Sequence, residues 1–200
     1  FANATIDLGE WEVAFGLRLD RWKAEREAVD IGHKASQSDT QVLGNFSMTK
    51  TVSDDAIAYF SVAQGYEPGQ WNGIADGAPP VFGPNGEKTL LGIDPEELVQ
   101  YELGWKASGL DGRGSLTAAL FYSNYNDRIY QYVVPNPDVS GTLMEALLNV
   151  GDSTQKGLEF EASFQANEFL QISGSVGWVD ATWDNGTMVG DLDLSGKETS

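Results

Sequence analysis

The chain has 200 residues, 41% of them hydrophobic, and a formal net charge of −18. That apolar share excludes gross disorder, and the charge, with no Lys/Arg stripe to offset it, excludes a nucleic-acid binder, because a phosphate backbone would be repelled. The absence of cysteine excludes disulfide frameworks, thiolate catalysis and Cys-ligated metals together.

No apolar run reaches 18 residues, so no helix is predicted to span a bilayer. The elements, taken in order, are strands. Phe1 to Ile6 reads as the tail of an earlier strand, and Leu8-Gly9-Glu10 as the turn after it. From Trp11 to Asp20 the odd positions are large and apolar, and the even ones small or charged. A period of two describes a strand with one oily and one wet face. Soluble strands usually stop at about five or six residues, whereas membrane-spanning strands need about nine to eleven. The polar stretch Lys23 to Thr40, with the only His, is predicted as a long loop. The second strand is placed from Gln41 to Thr51, with Val42, Phe46 and Met48 on one face. After the tight polar turn at Val52 to Asp55 the third strand puts Ala56, Ala58, Phe60 and Val62 on one face.

Tyr66 to Pro95 is predicted as a loop of about thirty residues holding five Pro, with a turn signal at Gly83-Pro84-Asn85-Gly86. Loops of that length are usually functional. The fourth strand spans Glu97 to Ala107, with Val99, Tyr101, Leu103 and Trp105 on one face. A turn centred on Asp111-Gly112 leads to the fifth, with Leu116, Ala118, Leu120 and Tyr122 on one face. Arg128 to Asp152 is predicted as another long loop, in which Gly141 to Leu148 forms one or two helical turns. The sixth strand, Gln155 to Gln165, sets Leu158, Phe160, Ala162 and Phe164 against Glu159, Glu161 and Ser163. The seventh sets Leu170, Ile172, Val176 and Trp178 against Gln171, Ser173, Ser175 and Gly177.

The connections alternate short (near residues 9, 54, 111 and 167) and long (near 31, 81, 140 and beyond 184). Up-and-down antiparallel strands put all the short turns at one end, as in outer-membrane barrels with short periplasmic turns and long outer loops. Trp11, Trp105 and Phe164 then fall at the periplasmic end of the oily face, and Tyr122 and Trp178 toward the outer end, where amphipathic rings favour the membrane interface. The opposite face, with Gly16, Arg18, Glu102, Gly104, Glu159, Glu161, Gly174 and Gly177, looks onto a hydrated lumen. The fold class read from these features is all-β, an antiparallel up-and-down transmembrane β-barrel of which this chain is an incomplete stretch of about seven strands. The missing strands are expected from sequence outside the chain, because lone sheet edges in lipid leave backbone groups unpaired.

Five phrases in order carry a resemblance: Gly16 to Asp20, Ala58 to Gly69, Pro95 to Lys106, Ala118 to Asp127 and Asn149 to Glu161. With them the chain resembles the barrel part of TonB-dependent outer-membrane receptors over nearly its whole length. The resemblance implies residues 1–200 of a barrel of about 22 strands around an N-terminal plug, without the plug, its partner-binding box or the closing strand. It further implies an energy-coupled importer of a scarce nutrient, foremost a ferric siderophore, with cobalamin and oligosaccharides as other family ligands. Its partners would be outer-membrane lipid, the nutrient, and the periplasmic TonB protein acting through the plug. Its place would be the outer membrane of a Gram-negative bacterium, and no enzymatic activity or cofactor is implied. The alternatives are another outer-membrane barrel, a porin or adhesin, or a secreted β-sandwich binding domain.

Candidate ligand contacts are the loop aromatics Tyr66, Trp71 and Phe82, then Tyr130 and Tyr132, which could stack on a catecholate, a sugar ring or a corrin. Glu159 and Glu161 resemble a glycosidase pair in spacing but sit on a continuous wall strand with no cleft, so they read as wall residues. His33 alone is a poor metal site. Asp54-Asp55 and Glu96-Glu97 lack the ligand spacing of a calcium loop and read as solvated charge.

Overall fold

A computed structural model describes residues 1–29, 32–71, 81–82, 88–89, 92–135, 140–189 and 192–199. Fourteen strands follow one another among them: β1 (Ala2–Asp7), β2 (Trp11–Ala28), β3 (His33–Ser53), β4 (Ala56–Glu67), the short β5 (Gln70–Trp71), β6 (Val81–Phe82), β7 (Lys88–Thr89) and β8 (Gly92–Ile93), then β9 (Glu96–Gly109), β10 (Gly114–Pro135), β11 (Leu143–Asn167), β12 (Leu170–Trp183), β13 (Met188–Val189) and β14 (Leu192–Asp193). Eight of them form one sheet in the order β1-β2-β3-β4-β9-β10-β11-β12. Every pairing in it is antiparallel. The tail before Trp11 is therefore a wall strand in its own right. Past β12 the chain returns along the same edge. Trp183 N donates to Lys197 O at 2.9 Å and Thr199 N to Ala181 O at 3.0 Å, so residues 197–199 begin to extend the sheet.

Register carries one oily face across all eight strands. One row runs Ile6, Val13, Met48, Phe60, Leu103, Leu120, Leu158, Trp178. Among the described residues nothing covers it: Leu103 and Leu120 are each 56% exposed, and Trp178 is 53% exposed. The buried apolar side chains among the described residues are Ile93, Val150 and Trp183, all at the long-connection end. A soluble sandwich would pack Leu103 and Leu120 against a second sheet. Here hydrocarbon is the environment that suits them.

The strands are also tilted. The row Trp11, Lys50, Ala58, Trp105, Ala118, Phe160, Val176 crosses the sheet at right angles to the strands. Trp11 is two positions past Gly9, Lys50 and Ala58 lie four either side of Asp54, and Phe160 and Val176 lie eight either side of Glu168. The row thus drifts by about one residue per strand. With a rise of about 3.3 Å per residue and strands about 4.8 Å apart, the tilt is about 35°, the slope of a membrane barrel wall.

Three expectations change. Lys23 to Thr40 is not a loop: β2 and β3 pair continuously from Trp11↔Lys50 to Ala28↔His33, a hairpin standing clear of the oily band, which ends near Leu19 and Val42. Arg128 to Asp152 is not a long loop either, and Gly141 to Leu148 forms no helical turn, because Ile129 to Pro135 pairs with Leu143 to Asn149. Ladder hydrogen bonds from two adjacent long strands outcompete a short helix that nothing caps. Gly174 lies opposite Ala162 in the oily row, not on the lumen face. The Gly83 to Gly86 turn lies outside the described residues.

Leu103→Arg in the complete protein should destabilise the wall by about 2–4 kcal/mol. Thr117→Arg, which faces inward opposite Glu161, should cost little. Urea unfolding from liposomes measures both; equal losses would invert the facing of the sheet.

Candidate ligand-facing site

The inward face is polar and made shallow by glycine. Tyr59 OH donates to Glu102 Oε1 at 2.6 Å, and Lys106 Nζ stands 5.2 Å from the Tyr59 ring centre. The ring lies across Gly104, where a Cβ would collide with it, and Phe121 lies across Gly157 in the same way. Glu159 and Glu161 point the same way from one strand, opposite Ala119 and Thr117. Two carboxylates side by side on a wall cannot flank a scissile bond from its two sides.

At the long-connection end the wall becomes a packed ledge. A double bulge builds it. The register shifts between Tyr125 and Arg128 and again between Arg128 and Ile129, with Asp127 at φ 52° and Gly151 at φ 145°. A one-residue slip exchanges the faces of a strand. The first shift therefore keeps Arg128 on the inward face, where its guanidinium lies 4.9 Å from the Tyr125 ring and 5.5 Å from the Trp183 ring. Its Nη1 donates to the Ser153 hydroxyl at 3.0 Å, and Ser153 is fully buried. Tyr130 meets Trp183 edge-on at 5.8 Å. Glu96 Oε2 accepts from Ile129 N at 2.7 Å, and burial holds this carboxyl above its ordinary range, partly offset by that hydrogen bond and by Arg128.

The described ends of the connection between β4 and β9, residues 68–71 and 92–95, lie between this ledge and the tall β2–β3 hairpin. Asn149 holds one side: its Oδ1 accepts from Asp94 N at 2.8 Å, and its Nδ2 donates to Asp94 O at 2.9 Å and Asp127 O at 2.7 Å. On the other side Gln37 Nε2 donates to Ile93 O at 2.8 Å. The β5–β8 pair lies between, with Trp71 opposite Gly92.

The five expected contacts separate. Tyr66, at the top of β4, stands near Asp20, whose carboxylate holds Arg18 at 2.6 Å. Trp71 is in β5, half-exposed. Tyr130 is wall packing against Trp183. Phe82 lies in β6 and Tyr132 in β10, but their side chains lie outside the described residues, as does that of His33. Trp22, Gln37, Arg128 and Asn149 were not anticipated. No periodic signal marks them, since both faces of the strands are wet at that height.

A model of the family described as TonB dependent receptor-like, beta-barrel, matches residues 1–199. The metal-pseudopaline receptor CntO of Pseudomonas aeruginosa is 26% identical over 174 residues, 86% of this chain and 22% of the relative. The pesticin receptor of Yersinia pestis is 29% identical over 161 residues, 80% of this chain and 20% of the relative. The solved structure of the siderophore receptor PiuA from Acinetobacter baumannii aligns at TM-score 0.65 and 23% identity, over 94% of this chain and 26% of that one. The chain thus spans about a fifth of the length of the curated relatives it matches.

One prediction concerns the ledge. Glu96 keeps its proton to higher pH when folded, so the folded state binds more protons and ledge stability falls as pH rises through the interval just above 4.5. The protection factor of the Ile129 amide, its exchange relative to the intrinsic rate, should fall across that interval in the wild type and stay level in Glu96→Gln. A profile unchanged by the substitution would remove Glu96 as its source.

Proposed function

We infer the function from one premise: this chain belongs to the TonB-dependent receptor family and forms part of its β-barrel. It resides in the outer membrane of a Gram-negative bacterium, with lipid against the row of Leu103, Leu120 and Leu158. The proposal is that the complete receptor imports a scarce nutrient, a metal chelate of the ferric-siderophore type, by transport coupled to TonB through a plug domain that other sequence supplies. This chain contributes a third of the wall and part of the ligand-facing mouth. The observation that carries the reading is the division of the wall itself: an exposed oily face outside, a polar face inside, and residues 68–71 and 92–95 held across the outer end. The likeness to a metal-pseudopaline receptor and to a siderophore receptor supports the chelate class.

Growth of a receptor-deleted strain on ferric chelates, cobalamin and glycans, with and without the restored gene, tests the substrate class. Growth on ferric chelates that ignores the restored gene overturns it. Within that assay Trp71→Ala should weaken uptake affinity about three- to tenfold, since a stacked ring is worth about 0.5–1.5 kcal/mol beyond its buried area. Receptor abundance should not change. Unaltered affinity would remove Trp71 as a ligand contact.

A further inference from the structure

The chain has 12 Lys and Arg against 30 Asp and Glu, so a cation with no carboxylate beside it calls for a reason. Arg18, Lys23, Lys34 and Lys156 are ion-paired with Asp20, Glu25, Glu27 and Asp180. Lys50, Lys106, Arg113 and Arg128 instead lie over aromatic rings. Lys106 and Arg128 do so on the inward face. Lys50 and Arg113 do so on the oily one. Lys50 is the ladder partner of Trp11, so both side chains point toward lipid, and its Nζ stands 5.2 Å from the indole centre. Arg113 Cζ stands 5.8 Å from the centre of the Phe164 ring. Phe164 shares the outward side of β11 with Ala162 and Phe160.

The two cations sit at one depth, the last oily step before the short turns. Lys50 is four residues from Asp54, and Arg113 is two from Asp111. On the membrane side of each an oily run continues: Met48 and Phe46 along β3, Ala162 and Phe160 along β11. On the other side the turns expose Asp54, Asp55, Asp111 and Glu168. None of these carboxylates is ion-paired with either cation. A ring face fixes where a cation stands but accepts few of its hydrogen bonds. The Lys50 ammonium has three donors to satisfy. Arg113 gives Nε to Leu110 O at 3.2 Å and keeps its two terminal nitrogens for another acceptor.

We propose that Lys50 over Trp11 and Arg113 over Phe164 are two headgroup sites for an anionic glycerophospholipid, such as phosphatidylglycerol, in the periplasmic leaflet. The phosphodiester accepts from the cation, and the acyl chains lie along the oily run beside it. The charge balance favours this occupant. A chain of net charge −18 is repelled by an acidic leaflet unless cations stand at headgroup depth. The ring already restrains each cation, so less side-chain freedom is lost when the lipid docks. Strands β3 and β11 are four steps apart in the sheet, roughly 19 Å at about 4.8 Å per step, so the two sites hold separate lipids. The inference rests on the outer-membrane placement above and is independent of which nutrient is carried.

The test uses the complete receptor in phosphatidylcholine vesicles doped with dibrominated phosphatidylglycerol or, in parallel, dibrominated phosphatidylcholine, the bromines high on the acyl chain. The Trp11 emission is the difference between the wild type and Trp11→Phe. Brominated phosphatidylglycerol should quench it at doses at least threefold lower than brominated phosphatidylcholine. Lys50→Gln should abolish that preference and Lys50→Arg should keep it. With Phe164→Trp as a second reporter, Arg113→Gln should abolish the preference there and leave it intact at Trp11. Should Lys50→Gln fail to insert, this second site decides alone. Equal quenching by the two lipids, or a preference that survives removal of the cation, overturns the headgroup sites. Inorganic phosphate, compared with chloride at equal ionic strength, should not change the preference; its loss would assign the cations to a free anion and overturn the lipid. Absence of quenching by either brominated lipid would sink the membrane placement itself, an outcome distinct from equal quenching.

Discussion

An apolar side chain against hydrocarbon needs no protein partner, and the rest of this structure depends on that exemption. Leu17, Leu19, Val42, Leu103, Leu120, Ile172 and Val176 are all more than half exposed. In water such a surface would be an aggregation site. In lipid it is the stable outcome, provided every backbone donor and acceptor within the band is paired in the sheet. The long continuous ladders from β2 to β12 meet that condition in their interior. At its edges the sheet has β1 on one side and the returning residues 197–199 on the other.

The tilt follows from the same ladders. A drift of about one residue per strand lets a wide wall curve while keeping each hydrogen bond near its ordinary geometry. It also explains why aromatic residues at one depth need not share a register row. Trp11 and Phe164 both lie near the short turns, yet Trp11 shares its row with Trp105 and Phe160, and Phe164 lies four residues closer to its turn. Because the interface is a plane and the rows are inclined to it, an aromatic girdle must step from row to row.

Within the bilayer the fold was legible because the solvent imposes a period of two on one face. Strand order, the facing of Leu103 and Phe160, the four short turns and the lumen position of Glu102, Glu159 and Glu161 were all present in that alternation. Above the bilayer the same strands continue, but the constraint is gone. Trp22, Ala24, Arg26, Ala35, Gln37 and Asp39 share the half-buried face of the hairpin, while Arg21, Lys23, Glu25, Ser36 and Ser38 share the exposed one. Hydropathy does not separate those two sets, so Lys23 to Thr40 reads as a loop. The same loss of contrast hid β11 below Asn149, where Leu143 to Leu148 offers apolar residues at both periods. Gly174 failed differently: a residue without a side chain carries no facing signal, and only its position between Ile172 and Val176 assigns it.

The candidate site lies where these two regimes meet, and its chemistry depends on the change. Below the mouth, cohesion comes from the sheet and the lipid, and side chains on the inward face are free to be polar. At the mouth there is no lipid, and the ladder no longer runs unbroken across the sheet: β3 and β4 part at Asn45↔Ala63. The chain there builds small cores of the ordinary soluble kind, with Ile93, Val150 and Trp183 as its buried apolar residues and Arg128 set between two rings. The bulge at Asp127 and Gly151 is the device that joins the regimes, because it re-aims the strand without ending it. Residues above it answer to local packing and hydrogen bonding rather than to the register below. That is why Tyr130, placed among the ligand contacts from its loop-like sequence, turns out to brace Trp183, while Gln37, in a stretch with no hydropathy pattern, holds the Ile93 carbonyl ahead of β9.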